Sequence, residues 1–338
     1  MAQLNQAQNN TRICAIGLDI GGTKIAGGLV EFPAGHVLLK RVIPTQPQRG
    51  GETVLAETVI LAQELLAEAK QLGLEIAGIG LGVAELVDPA GNVTSGHTIP
   101  WRGLPVQATF ARLAPAVVES DVRAAALAEA KFGAGQPFKH FVYLTVGTGI
   151  SHCLVQAGQP YSGARGNALV LASGPLTITC PECGAKVKWV LEEIAAGPAL
   201  VTRYHKSLAL VDGLESKVHF GLQAASQITR GEDVLAATHA GDSRAMHVVK
   251  TAGEALGVGL AWLVNVLDPE AVIVGGGLGL AGGVYRDSFI ASTREHIWAE
   301  AARDLPILPA ALGPDAGLIG AAAAVIRQRD EETKRPRS

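Results

Sequence analysis

Three glycine clusters, each closing an apolar run, hold the residue types that could grip phosphate. In GLDIGGTKIAGG (17–28) a carboxylate, Asp19, precedes the turn glycines Gly21 and Gly22, and Thr23 and Lys24 follow. Glycines let the backbone approach an anion closely, and successive N–H groups at such a turn form an anion-binding nest. The segment lacks the G-x-x-x-x-G-K-[ST] spacing of a P-loop, and the strand-like KIAGGLVEF after it argues against a dinucleotide fingerprint, which needs a helix there. An ordinary hairpin turn is the plainer alternative. In LTVGTGIS (144–151), Gly147, Thr148 and Gly149 could clasp the other side of a polyphosphate, and VIVGGGLG (272–279) offers bare backbone to a flat ring. In VVESDVRAAALAEAKFG (117–133), Asp121 falls between a strand end and a helix start. It is either an N-cap, worth about 1 kcal/mol, or a general base that takes the proton of an attacking hydroxyl.

These residues need strands that end where the chemistry is. ICAIGLDI (13–20), KIAGGLVEF and HVLLKRVI read as a strand meander turning at PAG. Residues 53–70 place Val54, Thr58, Leu61, Leu65 and Ala69 at three- and four-residue steps and stop near Gly73, which predicts an amphipathic helix. IAGIGLGV (76–83) and APAVVES (114–120) read as strands, and VRAAALAEAKF (122–132) as a helix beginning directly after Asp121. The layout restarts at FVYLTVGTGI (141–150), with SHCLV as the next strand and QAGQP as its turn, so a weak internal duplication is visible. Ala-rich helices over 189–210 and 243–267, the strand AVIVGGG (271–277) and a helix after GPDAGLIGAAAAVIRQ follow, with RDEETKRPRS as a frayed end. In GARGNALVLASGPLTITCPECGAK (163–186) a glycine loop and an apolar run lead to two closely spaced cysteines.

A length of 338 residues predicts two domains. The near balance of 28 Lys+Arg against 31 Asp+Glu leaves no basic face for nucleic acid, and small ligands fit better. The leader MAQLNQAQNNTR has no apolar core or cleavage site, and no apolar stretch reaches the roughly 18 residues of a membrane span, so the expectation is a cytoplasmic protein without membrane contact. The four cysteines, Cys14, Cys153, Cys180 and Cys183, suit thiols or a metal better than a disulfide framework. His97, His140, His205 and His247 read as loop or surface residues, and Trp101 and Trp262 as core or cleft wall.

In order and spacing, DIGGTK (19–24), SDVRAAALAEAKFG (120–133), VGTGI (146–150), LEEIAAGPAL (191–200), VIVGGG (272–277) and LGPDAGLIGAA (312–322) resemble the ROK family (repressor, open reading frame, kinase) of the actin-like ATPase superfamily, from about residue 13 to 327. The resemblance implies an α/β fold of two actin-like (ribonuclease H-like) domains with a ligand cleft between them: residues 12–122 plus about 318–338, and residues 123–317. It implies ATP and Mg²⁺, with Asp19, Gly21, Gly22, Thr23 and Lys24 holding phosphates and magnesium, Asp121 as base, Gly147, Thr148 and Gly149 as second phosphate loop, and Gly275, Gly276 and Gly277 against adenosine. It also implies a homodimer.

The acceptor side departs from the family pattern. Ser120 stands where the family has an Asn sugar ligand, Val170 and Ser173 where it has Glu and His, and Ser151, His152 and Cys153 where it has glycines. Thr98, Ser120, Asp121, Asn167, Ser173 and Glu192 (or Glu193 in the alternative register) remain as substrate contacts. Each lost charged hydrogen bond to a hydroxyl costs about 1.5 to 3 kcal/mol, which points from glucose toward a modified sugar or a C7-type cyclitol. The alternatives are a non-catalytic sugar or nucleotide sensor, or a conventional glucokinase, fructokinase or N-acetylmannosamine kinase. The family's zinc site of one His and three Cys is reduced to Cys180 and Cys183, which read as a reduced thiol pair or, alternatively, as the remainder of a zinc site.

Overall fold

The computed structural model describes residues 13–212 and 228–334, and the polar leader lies outside them. One compact unit takes in the chain up to Ala128 and again from Asp315; the other is Glu129–Pro314.

In the first unit, β1 (Ile13–Ile20), β2 (Lys24–Phe32) and β3 (His36–Pro44) form the expected antiparallel meander. β4 (Ile76–Val83) joins β1 in parallel and β5 (Ala116–Ser120) joins β4, giving the order β3-β2-β1-β4-β5. Parallel strands are covered on both faces and so read as near-continuous apolar runs. One face packs on α1 (Gly51–Gln71), whose Val54, Thr58, Leu61, Leu65 and Ala69 are all buried, as their spacing predicts. The C-terminal helix, Ala316–Lys334, packs on β1 and β4; its run of small residues lets the helix and strand backbones approach closely. The short α2 (Val106–Ala111) precedes β5, and α3 starts at Asp121 itself and runs to Phe132. Trp101 is fully buried and donates its indole N–H to the Gly51 carbonyl at 2.8 Å.

The second unit repeats that order. β6 (His140–Val146) and β7 (Ile150–Gln156) form a hairpin, β8 (Gln159–Pro160) continues it, and after the separate hairpin of β9 (Leu176–Thr179) and β10 (Lys186–Trp189) come β11 (Ala271–Gly275) and β12 (Ile307–Pro309). β11 lies parallel to β6 and β12 parallel to β11, so the sheet reads β8-β7-β6-β11-β12, the same arrangement as in the first unit. Helices α4 (Glu192–Ala195), α5 (Gly197–Asp212), α6 (Gly231–His239), α7 (Ser243–Leu267) and α8 (Val284–His296) accompany it, and Ala316–Lys334 is α9.

Three expectations need correction. The helix expected over 189–210 is preceded by β10 and broken at Ala196, which is extended because the Gly197 N–H goes to the Gly147 carbonyl at 2.8 Å. Before β9, the apolar run at 168–173 turns on itself, with Val170 46% exposed. The tail is helical as far as Lys334, supported by the Gln328 to Glu332 hydrogen bond at 2.8 Å, and 335–338 lie outside the described residues. Trp262 is 56% exposed on α7 and belongs to no core. Among the described residues no helix is long and apolar enough to cross a membrane.

Candidate functional site

In the first unit the C-terminal ends of β1, β4 and β5 bring the acidic side chains together. The β1–β2 turn is tight: Gly21 N–H bonds the Lys24 carbonyl at 3.0 Å, and Thr45 bonds the Gly21 carbonyl through its hydroxyl (2.5 Å) and the Thr23 carbonyl through its N–H (3.1 Å). Thr23 and Lys24 are exposed beyond it. A Cβ on Gly22 would stand 2.6 Å from Thr98 Cγ2, so Thr98 lies directly against this turn. At the end of β1, Asp19 is part-buried, and loss of hydration raises its pKa to about 6 against the opposing pull of Lys24 and Lys40. Gly317, at the start of α9, faces this carboxylate: an added Cβ would fall 2.6 to 2.8 Å from its carbon and oxygens.

Asp121 occupies the first turn of α3. Its Oδ1 accepts the Val122 N–H at 2.7 Å, one residue ahead, instead of capping an N–H two or three residues on. Burial, then the nearby negative charge of Asp19, push it up to about 7, with Glu85 adding to the rise. A carboxyl poised near neutrality suits proton abstraction. Beside it Ser120 is 1% exposed, and its hydroxyl is buried without a hydrogen-bond partner. Such orphaned groups are uncommon in folded proteins and call for an explanation.

Glu85, absent from the sequence expectations, organises this region. It is almost fully buried after β4, and its carboxylate accepts the backbone N–H of His97 (3.0 Å), Thr98 (2.6 Å) and Ile99 (2.7 Å) together with the Ser95 hydroxyl. Three backbone donors and a hydroxyl on one carboxylate hold loop 95–99, and with it Thr98, in one shape. The local signal was an isolated Glu in an apolar stretch, GVAELV, ten residues before a Ser-Gly pair. Its partners become evident only once the loop folds back.

In the second unit the glycine clusters meet. The Gly147 N–H bonds the Gly149 carbonyl at 2.9 Å, with Thr148 exposed at the crest. A Cβ on Gly147 would lie 4.0 Å from the Gly277 nitrogen. Gly275 ends β11; Gly276 then takes φ 82°, a left-handed conformation that favours glycine, with the Val146 backbone packed against it. Glu192, at the start of α4, accepts the Ile150 N–H at 2.9 Å and lies within 3.5 Å of the Ser173 hydroxyl, whereas Glu193 is exposed. Asn167 stands exposed in the preceding loop.

Ser151 and His152, on β7, are tied to that loop. The Ser151 hydroxyl and the His152 ring both bond the Leu169 carbonyl, the former at 3.4 Å, just before Val170. Burial pulls the His152 pKa down to about 4, so the ring is neutral, with Nδ1 buried and unpartnered.

Cys180 and Cys183 stand at the tip of the β9–β10 hairpin, Cys180 part-buried and Cys183 exposed, and no disulfide joins them. Among the described residues no group of three or more His, Cys, Asp or Glu is placed to hold a metal. His152 and Cys153 belong to β7 and do not join the pair.

The profile described as the ROK family matches residues 15–328. The chain is 32% identical over 318 residues to a glucokinase of Streptomyces coelicolor, covering 91% of this chain and 96% of that protein. It is similar to the crystal structure of a ROK family glucokinase from Streptomyces griseus in complex with glucose and AMPPNP: TM-score 0.76, 30% identity, 93% of this chain and 99% of that one. A ROK hexokinase from Thermus thermophilus gives TM-score 0.74 and 31% identity, over 94% and 99% of the two chains. The fold class is accordingly that of two actin-like (ribonuclease H-like) domains.

Proposed function

The chain belongs to the ROK family, and on that premise we propose that it is a kinase transferring a phosphoryl group from ATP to a hydroxyl of a sugar or sugar-like polyol. The observation that carries this reading is Asp121, a carboxylate with a pKa near 7 beside a second carboxylate and a buried, unsatisfied hydroxyl. In the reaction Asp121 accepts the proton of the attacking hydroxyl, and Ser120 and Thr98 orient the acceptor. The turn Gly21–Lys24 and the loop Gly147–Gly149 offer amides to the phosphates, and Gly275–Gly277 leave room for the adenosine. Phosphoryl transfer rests mainly on positioning and charge neutralisation.

Magnesium fits the first unit. Burial raises the proton affinity of both Asp19 and Asp121, and the charge of Asp19 raises that of Asp121 further, a strain that a divalent cation relieves. Asp19 would hold it, the remaining ligands coming from phosphate oxygens and water. When bound, the cation neutralises charge on the phosphates.

The acceptor is a modified ring, such as a C7-type cyclitol, in preference to glucose. Supporting this, Val170 and Ser173 present no charge, and Ser173 is aimed at Glu192. A conventional hexose is the second reading, favoured by the likeness to glucokinases. ATP consumption across hexoses, amino sugars and cyclitols tests both. We expect turnover with one class and its loss in Asp121→Asn; no turnover with any acceptor, or an unchanged Asp121→Asn enzyme, sinks the kinase reading. Glucose as the best acceptor sinks the cyclitol reading alone.

A further inference from the structure

We propose that Cys180 and Cys183 form a dithiol site for exchange with low-molecular-weight disulfides, in place of the zinc site that family membership implies. Structural zinc takes four nitrogen or sulfur ligands, and among the described residues no third His, Cys, Asp or Glu joins these two. The tip is built differently. The Cys180 N–H bonds the Ala185 carbonyl at 2.8 Å, and the Gly184 N–H bonds the Cys180 carbonyl at 2.9 Å, closing the turn over Pro181 and Glu182. Hydrogen bonding from the Cys183 and Glu182 backbone and from the Cys183 side chain holds the Cys180 thiol below its usual range. Donors aimed at a sulfur stabilise its thiolate, the nucleophilic form, and a Cys-x-x-Cys pair supplies the resolving thiol three residues away.

Access separates this pair from the other cysteines. Every residue of β9 and β10 is exposed, as is Cys183, whereas Cys14 and Cys153 are fully buried within β1 and β7. The exchange proceeds in two balanced steps. The Cys180 thiolate attacks one sulfur of the small disulfide; its S–S bond breaks, and the departing thiolate takes up a proton. Cys183 then loses its proton and attacks Cys180 Sγ in the mixed disulfide, releasing the second small thiol. Two electrons pass from the protein pair to the small disulfide, which becomes two thiols.

The hairpin is one arm of a loop whose base is closed by the Glu192 N–H on the Ala172 carbonyl at 3.1 Å, and whose flanks carry Ser173 and Glu192. Exchange at the tip therefore acts on a segment joined to the second unit's glycine cluster. The proposal does not depend on the identity of the phosphoryl acceptor.

The test is peptide mapping of the reduced full-length protein after equilibration with graded ratios of reduced to oxidised glutathione. The expected product is a Cys180–Cys183 linked peptide, two hydrogens lighter than the reduced form, with Cys14 and Cys153 still free. In Cys183→Ser a mixed disulfide with glutathione should accumulate on Cys180. In the reduced single variants, Cys180 should be alkylated several-fold faster than Cys183. Three outcomes overturn the proposal: no linkage at any ratio, alkylation of Cys183 faster than Cys180, or one equivalent of zinc that shields both thiols until chelated. Circular dichroism of the single variants separates lost reactivity from lost folding.

Discussion

After the central strand of the first sheet the chain turns into carboxylates; after the central strand of the second it turns into amides. β1 carries Asp19 just before its last residue, near Glu85 and Asp121, whereas β6 runs into Gly147, near Gly276 and near Glu192, which already accepts the Ile150 N–H. Both sheets share one strand order. What differs is the dielectric problem each loop set faces. Burial, with the nearby charges of Asp19 and Glu85, keeps Asp121 near neutrality, while glycine amides and one hydrogen-bonded acid form a donor-rich surface with little charge to accommodate. A duplicated scaffold thus fixes where loops emerge, and side-chain content decides whether a loop is acidic or donor-rich.

Breaking the acidic side at its centre should have the largest effect. Asp121→Asn removes the proposed base and is expected to lower kcat by about two to four orders of magnitude, read from turnover at saturating ATP. The same group sets the pH profile: a base with pKa about 7 makes kcat/KM rise through neutrality and level off above it. Stability runs the opposite way. The folded state keeps a proton that an unfolded Asp has lost, so Asp121 costs stability increasingly as pH rises from 3.8 toward 7, and the midpoint of chemical denaturation should fall across that window in the wild type and less in Asp121→Asn.

Gly317→Ala should come next, since its Cβ would crowd the Asp19 carboxylate from 2.6 Å. We expect at least about a tenfold fall in kcat/KM from displaced charge, with about 1 to 3 kcal/mol of overpacking strain. Gly282→Ala, where an added Cβ meets nothing within 4 Å, is the control and should change neither.

Glu85→Gln sharpens the comparison from within. It keeps the shape but cannot accept all of the donors of loop 95–99, so KM for the acceptor should rise by about tenfold, from about 1.5 kcal/mol of lost charge-assisted bonding. KM for ATP should hold, and the acid midpoint of kcat/KM should move down, because one of the charges that raise Asp121 is gone. An unmoved midpoint would make Glu85 a brace for the loop alone. The smallest effect is expected on the amide side. Glu192→Gln weakens one bond to Ile150, worth about 1 kcal/mol, and should quicken hydrogen exchange at that amide with only a few-fold change in KM for ATP.

Local chemistry determined much of this protein. Strand-end glycines, the stepwise apolar face of α1 and the Asp at the head of α3 are short-range patterns, because a turn, a helix face or a helix start depends on neighbours within a few residues. The repeated layout was visible for the same reason, and the two sheets carry it through in full. Where contacts are distant, the pattern was silent or misleading. Ala-rich 189–210 reads as one helix until the Gly147 carbonyl takes the Gly197 N–H. Glu85 shows the limit best. A buried carboxylate is tolerable only when donors surround it, and its donors come from residues 95–99, which only the tertiary fold brings to it. The sequence alone determined which residues could carry phosphate chemistry; folding decided which charges stand close enough to shift one another, because burial and Coulomb energy depend on distance in space and not along the chain.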